Sequence, residues 1–188
     1  MDKQYKFAAI AGSLGVNSLS KKMIKEIEKS LDGKAVVTEL LYDQVPVFNQ
    51  DIEFPTPEAV ATFRTQLKEY DGIIIVSPEY NLSIPGTLKN LIDWISRAEV
   101  ANDPKPTLDY PVLIYSFSAG ISGGMVPQEQ LRSLLGYLGA NVKPQPRASF
   151  GNIFTQIDEN FNLNLNEASQ SFLSSTALAF VDYVSLFK

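Results

Sequence analysis

The sequence predicts an α/β protein: a three-layer, doubly wound sandwich with a five-stranded parallel sheet in the order 2-1-3-4-5. Three observations carry that prediction. Short apolar runs alternate with amphipathic stretches along all 188 residues. Two of the runs, "GIIIV" (72–76) and "PVLIYSFS" (111–118), show little of the polar alternation of a half-exposed strand, as strands covered on both faces require. Strict alternation of strand and helix then favours parallel pairing through helical crossovers.

Each element has its own signal. "KFAAIA" (6–11) is a short strand ended by Gly12. "SKKMIKEIEKSL" (20–31) places Met23, Ile24, Ile27 and Leu31 at helical spacing, and Asp32-Gly33 stops it. "AVVTELL" (35–41) is the second strand, followed by a proline-rich loop. "PEAVATFRTQLKEYD" (57–71) is a helix with Val60, Phe63, Leu67 and Tyr70 along one face. After "GIIIV", "PGTLKNLIDWISR" (85–97) is a helix with Pro85 near its start and Leu88, Leu91, Ile92 and Ile95 as its stripe. The fourth strand leads into a helix over 126–140, and "NVKPQP" (141–146) is a short outer strand. A closing helix, about 166–187, carries Phe172, Leu173, Leu178, Val181, Val184 and Phe187. No repeat, low-complexity tract or long linker interrupts residues 1–188, so the chain reads as a single domain.

Composition narrows the chemistry. A net charge of −5 with no basic run argues against nucleic acid and anionic membrane as partners. Without cysteine there is no disulfide, thiol nucleophile or Cys-based metal site, and without histidine no Ser-His-Asp triad. A hard-oxygen metal, a carboxylate or an organic cofactor must carry any catalysis. The acidic pair Asp51 and Glu53 reads as an exposed loop rather than a magnesium site. The opening apolar run is too short for a signal peptide, and Phe172–Phe187 is too short and too polar to span a bilayer. A cytoplasmic location without membrane insertion is expected.

Three loops fall on the carboxyl rim of the predicted sheet, where doubly wound folds bind ligands. Loop one, "GSLGVNSLS" (12–20), joins glycine and hydroxyl groups to a helix N-terminus and suits an anion; it reads equally as an ordinary N-cap turn. Loop two, "SPEYNLSIPG" (77–86), is braced by Pro78 and Pro85, so that the N–H groups of Glu79, Tyr80 and Asn81 can face something planar and polar. Loop three, "FSAGISGGM" (117–125), has three glycines that permit close backbone approach to a ligand. Together they suit a mononucleotide such as a flavin mononucleotide (FMN), whose ring does its own redox chemistry.

The motifs "GSLGVNSLS", "VPVFNQD" (45–51), "SPEYNLSIPGTLKNLIDWISR" (77–97) and "SAGISGG" make the chain resemble the NAD(P)H-dependent FMN reductases. These are flavodoxin-like proteins that include quinone, chromate and azo-dye reductases. The resemblance implies FMN as cofactor and NADPH or NADH as co-substrate, with the flavin nitrogen N5 rather than any side chain as the reacting group. It assigns Ser13, Ser18 and Ser20 to the phosphate, with backbone help from Leu14, Gly15 and Asn17. Pro78, Glu79, Tyr80 and Asn81, with Ser83 close by, would contact ring and ribityl chain. Ser118, Gly120, Gly123 and Gly124 would flank the ring's other edge. It also implies a homodimer or dimer of dimers, with Trp94 and "VPVFNQD" either at the interface or, for Trp94, in the core. One departure stands out: the family's arginine after "GSL" is Gly15 here, and its later asparagine is Ser20. Lys21 or Lys22 is the available substitute charge. Two other readings stay open, a flavodoxin-type electron carrier and a binding protein that has kept the fold and lost the flavin.

Overall fold

The computed structural model describes residues 4–187. In chain order the elements are β1 (Tyr5–Ala11), α1 (Leu19–Ser30), β2 (Ala35–Glu39), a 3-10 turn (Gln50–Ile52), α2 (Glu58–Leu67) and β3 (Gly72–Pro78). There follow α3 (Gly86–Ile95), β4 (Pro111–Phe117), α4 (Met125–Tyr137), β5 (Asn141–Val142), β6 (Ala148–Phe150), a second 3-10 turn (Ile153–Gln156) and α5 (Glu167–Ser185). The sheet order is β2-β1-β3-β4-β5, all parallel, as the sequence predicts, with β6 also paired to β4.

Period-two alternation splits the central strands between two cores. Phe7, Ala9, Ile74, Val76, Leu113 and Tyr115 pack towards α1 and α5 with Met23, Ile27, Leu173 and Phe180. Ala8, Ile10, Ile73, Ile75, Val112 and Ile114 pack towards α2, α3 and α4 with Phe63, Leu88, Leu91 and Leu131. Each large apolar side chain sealed in this way contributes about 1.5–3 kcal/mol.

The outer strand departs from expectation. Instead of one strand over 141–146, two short pieces pair with opposite ends of β4: Val142 beside Val112, and Ala148 beside Tyr115. Six residues of the outer chain span three of β4. Pro144 and Pro146 have no N–H to donate, so the ladder breaks between Val142 and Ala148. Two helix starts also shift by a residue, since Pro57 and Pro85 are the N-caps of α2 and α3 rather than helical residues.

Trp94 is a core anchor in this chain. It is 1% exposed, its Nε1 donates to the Pro46 carbonyl at 2.7 Å, and Phe48 meets its ring edge-on at 4.9 Å. The "VPVFNQD" loop is thereby fastened to α3, a job that Asn90 shares by donating to the same carbonyl.

Candidate active site

Parallel neighbours deliver their loops to the same end of the sheet. Ala11 of β1 lies beside Val76 of β3, and Pro78 of β3 beside Phe117 of β4. Loops one, two and three therefore leave the rim side by side. Gly12 fixes the first crossing: its N–H donates to Val76 O at 2.7 Å, and a Cβ there would stand 2.9 Å from the Pro78 ring.

Loop one ends at Ser18, the N-cap of α1, whose Oγ accepts from the Ser20 N–H at 3.2 Å. Among the described residues, the backbone N–H groups of Ser13, Leu14, Gly15, Val16 and Asn17 donate to no other group. The Ser20 hydroxyl is buried and equally without a partner. A run of free donors at the positive end of a helix dipole fits a phosphate ester. Loop one itself holds no cation.

Loop two is organised differently from the sequence expectation. The Glu79 N–H donates to Phe117 O (3.1 Å) and the Tyr80 N–H to Ser83 O (2.9 Å), so neither faces a ligand. Residues 80–83 close as a two-residue hairpin with Asn81 and Leu82 both at positive φ (52° and 57°), uncommon for leucine. What the loop presents instead is side chains. Tyr80 OH donates to Ser13 Oγ at 3.2 Å, linking loops one and two, and one Glu79 carboxylate oxygen is buried without a partner.

Loop three rests on a buried polar plug. Gln128, fully buried in α4, donates to both Ser116 Oγ and Ser149 Oγ at 3.0 Å, and Ser116 Oγ donates to Gly123 O. Gly123 and Gly124 take positive φ and press on the backbones of Phe150 and Phe117, where a Cβ would sit 2.9 and 3.1 Å away. Their role in the fold is to seat the loop against β4 and β6.

The loops enclose a cleft of about 270 Å³. Of the residues singled out in the sequence, it brings together Ser13, Asn17, Ser18, Pro78, Glu79, Tyr80 and Ser118. Leu14, Gly15, Ser20, Asn81, Gly120, Gly123 and Gly124 frame the loops without lining it, and Ser83 turns away to hydrogen-bond Gln130. The wall also contains residues that sequence reasoning did not nominate: Leu19, Phe117, Ala119, Ile153, Phe154 and Phe161. Lys21 pairs with Glu39 at 3.5 Å, and Lys22 donates to the Phe161 carbonyl. Asp93 of α3 is paired with Lys89 at 2.6 Å and is absent from the cleft wall. Glu53 is a structural carboxylate, gripped by Arg97 through two bonds of 2.7 and 3.0 Å. Among the described residues no cluster of acidic side chains is arranged to hold a metal. A larger groove of about 860 Å³ runs between the start of α3, where Gly86 lines it, and the Glu129–Tyr137 part of α4.

Known proteins resemble this chain in sequence and in fold. The family described as NADPH-dependent FMN reductase matches residues 5–155. A quinone reductase of Escherichia coli is 30% identical over 191 residues, covering 100% of both chains. A 2-hydroxy-1,4-benzoquinone reductase of Burkholderia sp. is 30% identical over 172 residues, covering 90% of this chain and 91% of the relative. Among solved structures, a flavoenzyme NAD(P)H:(acceptor) oxidoreductase from Paracoccus denitrificans superposes with a TM-score of 0.82 at 27% identity, covering 97% of this chain and 98% of that one. A match running from β1 to the 3-10 turn behind the cleft, joined by full-length relatives on the same fold, makes this chain a member of the NADPH-dependent FMN reductase family.

Proposed function

We propose that the cleft seats FMN with its phosphate on loop one and its ring between loops two and three, and that the protein uses NADPH or NADH to reduce quinones and similar small oxidants. The carrying observation is the run of free N–H donors from Ser13 to Asn17, whose two end residues line the cleft together with Pro78, Glu79, Tyr80 and Ser118. Bound FMN supplies the hydride-accepting and hydride-donating chemistry. The chain supplies position. Backbone N–H groups and the hydroxyls of Ser18 and Ser20 grip the phosphate; Pro78 and Tyr80 flank the ring; the unpartnered Glu79 oxygen accepts from a ribityl hydroxyl or ring N–H. Quinones enter as the acceptor class because relatives that cover the chain are named for them.

Ser18→Asp tests the placement. Aspartate caps a helix as well as serine does, so α1 survives, while a second negative charge meets the phosphate. The expected result is a folded protein without flavin; wild-type flavin content would overturn the placement. A flavin that stays oxidised under anaerobic NADPH would instead favour an electron carrier. A protein that stays colourless with added FMN would favour a binding role.

We further propose that two copies associate in the cytoplasm over the apolar rim of the cleft. Leu82 of loop two (67% exposed) and Ile121 of loop three (88% exposed) are exposed apolar side chains on these loops, as are Met125 and Val126 at the start of α4. Sedimentation of the flavin-bound protein as a monomer at micromolar concentration would refute this.

A further inference from the structure

Phe161 contributes to the part of the cleft wall that loops one, two and three leave unmade, together with Ile153 and Phe154. It stands at the tip of a small hairpin between the second 3-10 turn and α5. Ile157 bridges Leu163, the Asp158 N–H donates to Asn162 O at 2.9 Å, and the Asn164 N–H donates to Gln156 O at 2.7 Å. The Asp158 carboxylate holds the tip by accepting from Asn160 N–H (2.9 Å), Asn162 N–H (2.8 Å) and Asn162 Nδ2 (3.1 Å). At the base, Ile157 and Leu163 pack on the core shared with α1 and α5.

Two local rules are broken here together. Phe161 has φ 61°, a left-handed conformation unfavourable for a bulky side chain. Lys22 stands in the first turn of α1, a turn with no acidic residue, where the helix dipole disfavours a cation. The two meet: the Lys22 ammonium donates to the Phe161 carbonyl and lies 5.0 Å from the centre of its ring. Lys22 is also one turn from the N-cap, its N–H donating to Ser18 O. Violations of local preference that coincide at one cleft point to a shared use. An anion at the start of α1 would make the lysine's position favourable, and Phe161 lines the cleft beside Asn17 and Ser18.

We propose that Phe161 is a specificity-determining contact for the ribityl-phosphate part of the flavin, held in place by Lys22, which also lends the positive charge that loop one lacks. This rests on the reading that the cleft takes FMN. Lys21 is not the substitute charge, because Glu39 already pairs it.

The test titrates the full-length chain, stripped of flavin, with FMN and with riboflavin, following the quenching of flavin fluorescence. Phe161→Gly suits the left-handed backbone, so the melting temperature should hold while the FMN Kd rises. Lys22→Met should raise the FMN Kd by about five- to tenfold and the riboflavin Kd by less, since riboflavin has no phosphate. It should also reduce the salt dependence of FMN binding, and Lys22→Arg should restore both. Wild-type FMN Kd in both Phe161→Gly and Lys22→Met would overturn the inference, as would a lowered melting temperature with unchanged Kd. Failure of the unsubstituted chain to bind FMN is a separate result, which would refute the cofactor reading itself.

Discussion

Replacing Gly12 with alanine probes the joint on which the site is built. The new Cβ would stand 2.9 Å from Pro78 Cδ and 3.0 Å from both Ser77 Cα and Val76 O, whereas ordinary contacts begin near 3.4 Å. None of these neighbours can swing aside: two are backbone atoms of β3, at the middle of the sheet, and the third belongs to a proline ring. Loop one must therefore move by several tenths of an ångström, carrying Ser13 away from the Tyr80 hydroxyl it meets at 3.2 Å. Overpacking of this kind costs about 1–3 kcal/mol, and the reduced freedom of the unfolded chain returns about 0.4–1 kcal/mol. The net loss is about 1–2 kcal/mol, or about 2–8 °C in melting temperature for a chain of this size. FMN affinity should fall as well, because the free donors begin one residue later. Gly86→Ala is the control: nothing lies within 4 Å of its new Cβ, and the melting temperature should hold or rise. Differential scanning fluorimetry and FMN titration read both. A Gly12→Ala protein with wild-type melting temperature and wild-type flavin affinity would refute the claim that contact between loops one and two sets the site.

Two further predictions concern charge. Gly15→Arg has room, since a Cβ there meets only Ser13 Oγ at 3.8 Å; a guanidinium on loop one should tighten FMN binding by about three- to tenfold in the same titration, and an unchanged Kd would mean that the phosphate is already fully served. Arg97 holds the Glu53 carboxyl below its ordinary value of 4.5, chiefly through their hydrogen bonds. A depressed acid stabilises the fold fully above its unfolded pKa and loses that contribution as pH falls through the folded one. Arg97→Met should therefore flatten the decline of melting temperature below about pH 4.5; an unaltered acid limb would show that the pair carries none of it.

Much of the fold was legible because burial leaves marks on composition. A strand such as "GIIIV" can sit only where both faces are covered, and alternation with amphipathic helices then fixes a parallel order. The outer strand was not legible in detail. Pro144 and Pro146 warn of an edge, but which residues resume pairing depends on where Ala148 finds β4. Loop two misled for a related reason: prolines show that a backbone is fixed, not where its N–H groups point, and Phe117 O and Ser83 O had already taken two of them. Gly123 and Gly124 show the same limit, since a positive φ demanded by packing and one demanded by a ligand leave the same residue in the sequence. Phe161 left no apolar period to find. Its only trace is the Asp158, Asn160, Asn162 spacing, which marks a tight turn without saying which cleft the turn overlooks.

The missing histidine and cysteine and the uncharged phosphate loop belong to one design. No side chain in this sequence has an ordinary pKa between 5 and 8, so none is suited by its type alone to moving protons near neutrality. The cleft is assembled instead from backbone donors, hydroxyls, a proline, aromatic rings and the Glu79 carboxylate, groups suited to positioning a reacting group. Such a site holds its geometry across the neutral range. The precision lies one layer down, where Gln128, Ser116 and Ser149 seat loop three, Gly12 sets loop one against loop two, and Lys22 holds Phe161 over the remaining side. On the proposed placement of the flavin, selectivity for it is built into these loop supports.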